Sequence, residues 1–274
     1  MIDLSDPLAV LSLTAVISGV GVLITGFEWI AIHKEYRNPG LYSWEVRRIR
    51  GGFALTGFGR ELCERLYQYP NVLILPVLQI LGACIIFLSW KNRVPMSIGC
   101  GIAGIGCIAF SLRGSSGYTG ADQFLKINLV AVALALASES ASLWWIALIF
   151  IVCQLLVAYT TPGILRLGRR SWYDGTALRR ILRQRTYGAY WIWILVARWP
   201  IVAKVLSVSI VLFECGFLLS ILLPHPVLEI FLICGLVFHA FNAIVMGLNT
   251  FFWAFVGAYP AVLSVGSIVE RMLY

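Results

Sequence analysis

Charge is what this sequence is short of. Lys, Arg, Asp and Glu together make up 12% of its 274 residues, against roughly 25% in an average soluble domain. A water-soluble globule is thereby excluded, and the 60% hydrophobic content excludes disorder. Histidine is nearly missing, with three residues, and the seven cysteines form no Cys-x-x-Cys pair. Neither supplies a metal-ligand spacing, so no metal is expected. Six of the cysteines sit in apolar runs, where a thiol behaves as a small hydrophobe, and packed, reduced side chains are expected there. A basic leader is also missing: Asp3 and Asp6 occupy its place, and no cleaved signal peptide is expected. Repeats, low-complexity tracts and soluble stretches of useful length are absent too. Residues 1–274 therefore read as a single transmembrane domain.

What is present is uncharged sequence in long blocks: 7–27, 66–90, 94–112, 140–165 and 230–269 carry no Asp, Glu, Lys or Arg. Mean hydropathy is +0.87. A hydrocarbon core of ~30 Å takes about 20 helical residues. The pattern predicts an all-α, polytopic integral membrane helical bundle of about 8 transmembrane helices plus interfacial amphipathic helices. The spans are placed at 8–29, 71–90, 94–112, 124–138, 143–162, 201–223, 226–247 and 249–267. Lys126, at the start of the short fourth span, is expected to snorkel to the interface. The last two spans, joined around Gly247 and Asn249, must form an antiparallel hairpin.

Lys/Arg bias orients the chain. With the N-terminus outside, segments 33–66, 113–126 and 164–186 face the cytoplasm and hold 7, 2 and 7 basic residues, 16 of the 21 present. The outer side receives Lys91, Arg93 and Arg271, while Arg198 and Lys204 lie near the start of the sixth span. This is the arrangement of a multi-pass protein of the cell (inner, cytoplasmic) membrane. The net charge of +8 then reflects topology and attraction to a bilayer with anionic headgroups, with no nucleic acid partner. Segments 33–66, with Tyr36, Tyr42, Trp44 and Phe53, and 164–186, rich in arginine, each suit a helix or hairpin lying in the headgroup layer. Tyr187–Trp199 is aromatic and too short to span, and reads as an interfacial or re-entrant piece.

A polar side chain near the bilayer centre is costly, ~2.5–3.5 kcal/mol when ionised, and so draws functional attention. Glu214 and His239 each lie about 4 Å from the midplane of their span, on opposite sides. That offset of ~8 Å argues against a direct bond between them. Glu214 is expected to be protonated or paired within the bundle. Asn242 shares a face with His239. The pair either hydrogen-bonds a neighbouring helix or, with imidazole as acid/base, handles protons or a ligand. Glu28, Glu139 and Glu229 fall near span ends and read as interfacial. In the loop Gly114–Gln123 the glycines permit tight turns, and Asp122 is placed to N-cap the next helix.

Four groups of residues, in order, resemble a known family. They are Phe27-Glu28-Trp29 with Gly40–Val46; Tyr118–Gln123; Gly163–Leu167 with Trp172–Leu178 and Tyr187-Gly188; and Phe238-His239, Met246–Leu248, Phe252-Trp253 and Tyr259-Pro260. Taken together they resemble the HTTM (horizontally transferred transmembrane) family, bacterial relatives of the vitamin K-dependent γ-carboxylase membrane domain. The resemblance implies a helical membrane fold with a cavity near one interface, where a carboxylase relative uses a quinol and modifies a peptide. It also implies a lysine just before the leucine of the third group, serving as base. This chain has Arg166 there. Lysine can be desolvated to a neutral amine, whereas arginine stays protonated. A guanidinium cannot take over proton abstraction, though it can hold an anion through two bonds or snorkel with Arg169 and Arg170. The 274 residues also hold no counterpart of the large lumenal portion of the vertebrate enzymes.

The departure points away from an enzyme. It favours a multi-pass subunit with a carboxylase-like scaffold that has lost carboxylation. Such a subunit docks, assembles or matures a peptide or a larger membrane complex, for example an electron-transfer assembly, through its arginine-rich and aromatic face. The alternative is a membrane-embedded enzyme acting on a quinone-like, lipid or peptide substrate. There Arg166 clamps an anion, His239 moves protons and Asp122 orients a partner. Gln123, Trp172, Asp174, Asn242 and Glu214 are the candidate ligand contacts, and a quinone or bound lipid is the expected class of cofactor. A transporter or channel has least support, because inverted repeats and paired broken helices are missing.

Overall fold

The computed structural model describes residues 3–50, 58–90, 92–113 and 119–274. Phe53, Lys91 and the loop residues 114–118, all used in the sequence reading, lie outside them. Among the described residues the regular structure is entirely helical: α1 (Pro7–Ala31), α2 (Trp44–Arg50), α3 (Phe58–Tyr67), α4 (Ile74–Leu88), α5 (Arg93–Arg113), α6 (Gly120–Ala137), α7 (Ala141–Leu167), α8 (Arg170–Tyr173), α9 (Thr176–Arg183), α10 (Tyr190–Arg198), α11 (Pro200–Ser220), α12 (His225–Met246) and α13 (Asn249–Leu273), with short 3-10 turns at His33–Tyr36 and Asn71–Leu73. Eight helices are long and apolar enough to cross a membrane: α1, α4 with its preceding turn, α5, α6, α7, α11, α12 and α13. Each falls on one of the eight expected spans. Helix is what hydrocarbon demands, because it satisfies every interior amide and carbonyl within the segment.

The chain divides into two compact units, Leu11–Ala147 and the remainder, Met1–Val10 with Leu148–Tyr274. In the first, α4 and α5 touch backbone to backbone. A Cβ on Gly82 would lie 2.5 Å from the Ala103 amide nitrogen and 2.7 Å from the Gly99 carbonyl oxygen. Small residues at such a crossing replace the hydrophobic drive that lipid cannot supply with close van der Waals contact. Polar side chains fasten the helix ends. The Arg93 guanidinium donates to the carbonyls of Leu136 (3.0 Å) and Ser138 (2.5 Å) and to Glu139 (2.8 Å), covering the end of α6. The Ser97 hydroxyl donates to the Ala133 carbonyl at 2.7 Å. Lys126, in the second turn of α6, donates to Ser111 Oγ in the last turn of α5 at 2.5 Å.

Segment 33–66 is less superficial than its composition suggests. Tyr36, Trp44 and Tyr67 are buried with Phe110, and Tyr42 packs against them. Buried Arg113 lies under the Tyr36 ring (5.0 Å to its centroid) and donates to the carbonyls of Tyr42 (2.6 Å) and Tyr67 (3.1 Å). Burial raises the Tyr36 and Tyr67 phenols above their usual range. Leu41, Val46 and Ile49 face outward.

In the second unit α12 and α13 form the expected hairpin. Gly247, at φ 69°, ends α12 in the left-handed region, and α13 starts at Asn249. Gly235 packs on Tyr259 and Gly266 on Leu228, the paired order of antiparallel helices. The helices α8, α9 and α10 join α7 to α11, and α10 has nine residues, too few to span.

Leucine at position 82 is expected to destabilise the protein by about 1–3 kcal/mol through overpacking. At Gly101 a Cβ meets nothing within 4 Å, so Gly101→Leu should leave stability near wild type. Thermal unfolding of both variants in detergent checks the contrast.

Candidate functional site

The polar residues of the second unit's interior come from four spanning helices. Helix α7 carries Tyr159 and, two turns on, Arg166; α11 carries Glu214, α12 His239 and α13 Tyr259. The resulting contacts form two groups.

The first is a chain of three side chains. The Tyr159 hydroxyl lies 2.8 Å from His239 Nε2 and 3.0 Å from the Tyr259 hydroxyl. One phenol has one proton, so Tyr159 donates to one neighbour and accepts from the other. Gly235 makes this geometry attainable, since a Cβ there would collide with the Tyr259 oxygen and press on that of Tyr159. Pro162 removes the amide that would bond the carbonyl of Ala158, loosening α7 one turn beyond Tyr159. The walls are aromatic. Tyr159 stacks on Phe217 (centroids 4.0 Å) and meets Phe213 and Phe255 edge-on, while His239 stacks on Phe255 at 4.1 Å. His239 is 2% exposed, and its Nδ1 has no hydrogen-bond partner among the described residues.

The second group is an ion pair. Arg166 Nη1 meets the carboxylate of Glu214, which is 4% exposed. The guanidinium carbon also lies 4.4 Å from the centroid of the buried Trp172 ring. Charge attraction and cation–π contact thus act on one guanidinium. Arg166 is turned toward Glu214 and Trp172. Glu214 is paired, as expected, and it and His239 have separate partners.

The remaining sequence candidates do not converge on either group. Thr119, and not Asp122, caps α6: its hydroxyl accepts from the Asp122 amide (3.3 Å), and the Asp122 carboxylate accepts from the Thr119 amide (2.6 Å) and hydroxyl (2.9 Å). Asp122 is the third residue of a capping box because α6 starts earlier than its apolar pattern suggests. Gln123 is exposed on the same turn. Asp174 is exposed and accepts from the Thr176 amide (2.8 Å) and hydroxyl (2.6 Å). Those bonds, aided by the charges of Arg170 and Arg179, hold its carboxyl below the usual range. Asn242 is half-buried, and its carbonyl accepts the amides of Gly247 and Leu248 at the hairpin turn.

Tyr159 and Tyr259 are the residues that reasoning from sequence missed. A tyrosine in a span reads as a member of the interfacial belt. The available signal was that Tyr159 lies seven residues before Arg166 and so on the same face of its helix. In the first unit Asn128 was missed as well: it is fully buried in α6, with both amide atoms unpartnered among the described residues. Among those residues no group of three or more His, Cys, Asp or Glu could hold a metal ion.

Tyr159→Phe breaks two hydrogen bonds and Tyr259→Phe one. At about 0.6–1.7 kcal/mol per bond in a membrane bundle, roughly 1–3 kcal/mol is expected for Tyr159→Phe and about half that for Tyr259→Phe. Equilibrium unfolding in mixed micelles measures both. For the ion pair, Arg166→Leu strands a buried carboxylate and should cost about 3 kcal/mol or more. Glu214→Leu leaves a guanidinium whose side chain is 26% exposed and rests on Trp172, and should cost less. The Arg166→Leu/Glu214→Leu double variant should recover most of the larger loss, as a double-mutant cycle will report.

In comparisons with family models, curated proteins and solved structures, the chain matches none.

Proposed function

We propose that this chain is a non-catalytic multi-pass membrane subunit on a carboxylase-like scaffold, serving in docking, assembly or maturation of a peptide or of a larger membrane complex. One observation carries the reading: Arg166 is neutralised by Glu214 and covered by Trp172. At the position where the HTTM resemblance calls for a base there is a guanidinium that stays protonated. Its charge is matched inside the protein, so it is poorly suited to abstract a proton or to clamp a substrate anion. In this reading the subunit lies in the cell membrane with its N-terminus outside and segments 33–66 and 164–186 in the cytoplasm, in keeping with their basic residues.

A second reading rests on a different observation. Buried His239 Nδ1 is an unused hydrogen-bonding atom beside the rings of Phe251 and Phe255. An atom so placed suits a membrane-embedded site that binds a quinone-like or lipid molecule through one polar group.

Purification in mild detergent followed by mass spectrometry of proteins and small molecules separates the two. The subunit reading expects a second protein chain in fixed stoichiometry, retained by the Arg166→Leu/Glu214→Leu variant. Recovery of the chain alone with one bound quinone or lipid, lost in His239→Ala, supports the second reading. Carboxylated glutamate on a peptide incubated with the protein and a reduced quinone would overturn the subunit reading.

A further inference from the structure

Between Ile164 and Phe213 the sequence carries nine cationic side chains and one carboxylate, Asp174. Arg166 is consumed by Glu214. Among the described residues, Arg169, Arg170, Arg179, Arg180, Arg183 and Arg185 have no carboxylate at ion-pair distance. Asp174, whose Oδ1 accepts from Thr176, offsets one unit of this charge and leaves a large cationic excess. The arginines are held on a built support. Helix α9 buries Leu182, with Leu178 packed beside it, and turns Arg180 and Arg183 outward. The Arg183 guanidinium carbon lies 5.4 Å from the centroid of the Trp193 ring on α10.

The depth of this support follows from its contacts. The turn into α9 is Gly175, at φ 77°, and a Cβ there would lie 2.6 Å from the Lys204 amide nitrogen. Gly175 therefore presses on the first turns of α11, and α9 cannot project away from the end of that span. The outward residues of that end mix apolar and cationic side chains: Trp199 is 55% and Ile201 69% exposed, and Arg198 and Lys204 are exposed beside them. Tyr190 and Trp191 on α10 are exposed as well, in the manner of aromatics at a membrane–water boundary. Beside such aromatics the arginines are placed to meet lipid phosphate.

We propose that the α8–α9 arginine cluster, with Arg179, Arg180 and Arg183 at its centre, is a binding site for the phosphate of an anionic phospholipid. Guanidinium forks bind phosphate oxygens through paired hydrogen bonds. The chemistry is shared with free phosphate, and the depth of the cluster assigns the lipid. This site is independent of the subunit reading and stands whether or not a protein partner is found.

The test is native mass spectrometry and thermal stability of the detergent-solubilised protein with phosphatidylglycerol or phosphatidylcholine. Wild type should retain phosphatidylglycerol and be stabilised by it, and phosphatidylcholine should do neither. The Arg179→Gln/Arg180→Gln/Arg183→Gln variant should bind about 100-fold more weakly, at roughly fivefold per arginine. Lys34→Gln/Arg48→Gln/Arg65→Gln removes the same number of cations, all exposed, from the first unit and should leave binding unchanged. The triple arginine-to-lysine variant guards against misfolding: it keeps the charge, and several-fold weaker retention is expected from loss of the forks. Equal binding of the two lipids, or wild-type binding by the triple Gln or triple Lys variant, overturns the proposal. So does equal stabilisation by inorganic phosphate, which would identify a soluble ligand. Release of a protein chain by the triple Gln variant with lipid binding intact would make the face a protein interface and also overturns it.

Discussion

Hydrocarbon offers no water, and every polar group taken into it must find its partner within the protein or go without. The second unit meets this constraint in two ways. Glu214, buried in α11, is matched by a guanidinium from α7, and the ring of Trp172 shields that contact. His239, buried in α12, is matched on one nitrogen only, by a phenol that is itself shared with Tyr259. The first solution is closed in charge, since carboxylate and guanidinium neutralise each other. The second is open by one atom, Nδ1. Closure belongs to structure, whereas an unused buried donor or acceptor is where a ligand or a proton can act.

The same constraint explains what could be read before the fold was known. Long uncharged runs give the spanning helices directly, because one side-chain property, transfer from water, determines them. The spans inside those runs follow from it, as does the hairpin forced by the short Gly247–Asn249 connection. The fourth and sixth, which carry Lys126, Lys204 and Glu214, follow from their net apolar character. Side-chain partnerships depend on which helices become neighbours and at what height, and the local pattern does not carry that information. Glu214 is recognisable as a residue in need of a partner, yet nothing near it in sequence names Arg166. His239 is conspicuous as a histidine in an apolar run, but its partners are tyrosines that a reader assigns to the interfacial belt. Asp122 shows a smaller failure of the same kind. Its role in the capping box depends on Thr119, one residue before a helix that starts ahead of its apolar stripe.

Arg166 and the arginines of α8–α9 follow one another closely in sequence and are chemically identical, but their surroundings differ. Arg166 is on the last turn of α7, within reach of a carboxylate that has no access to water and therefore binds a guanidinium strongly. Arg179, Arg180 and Arg183 are on a helix pinned at the end of α11, with Asp174 engaged elsewhere and no other acid in the segment. Arginines that outnumber the acids around them repel one another unless an external anion joins them. The bilayer supplies phosphate at that depth. Burial of one acid in α11 and scarcity of acids between α7 and α11 thus give the same residue type two roles, holding helices together inside the unit and meeting the membrane at its edge.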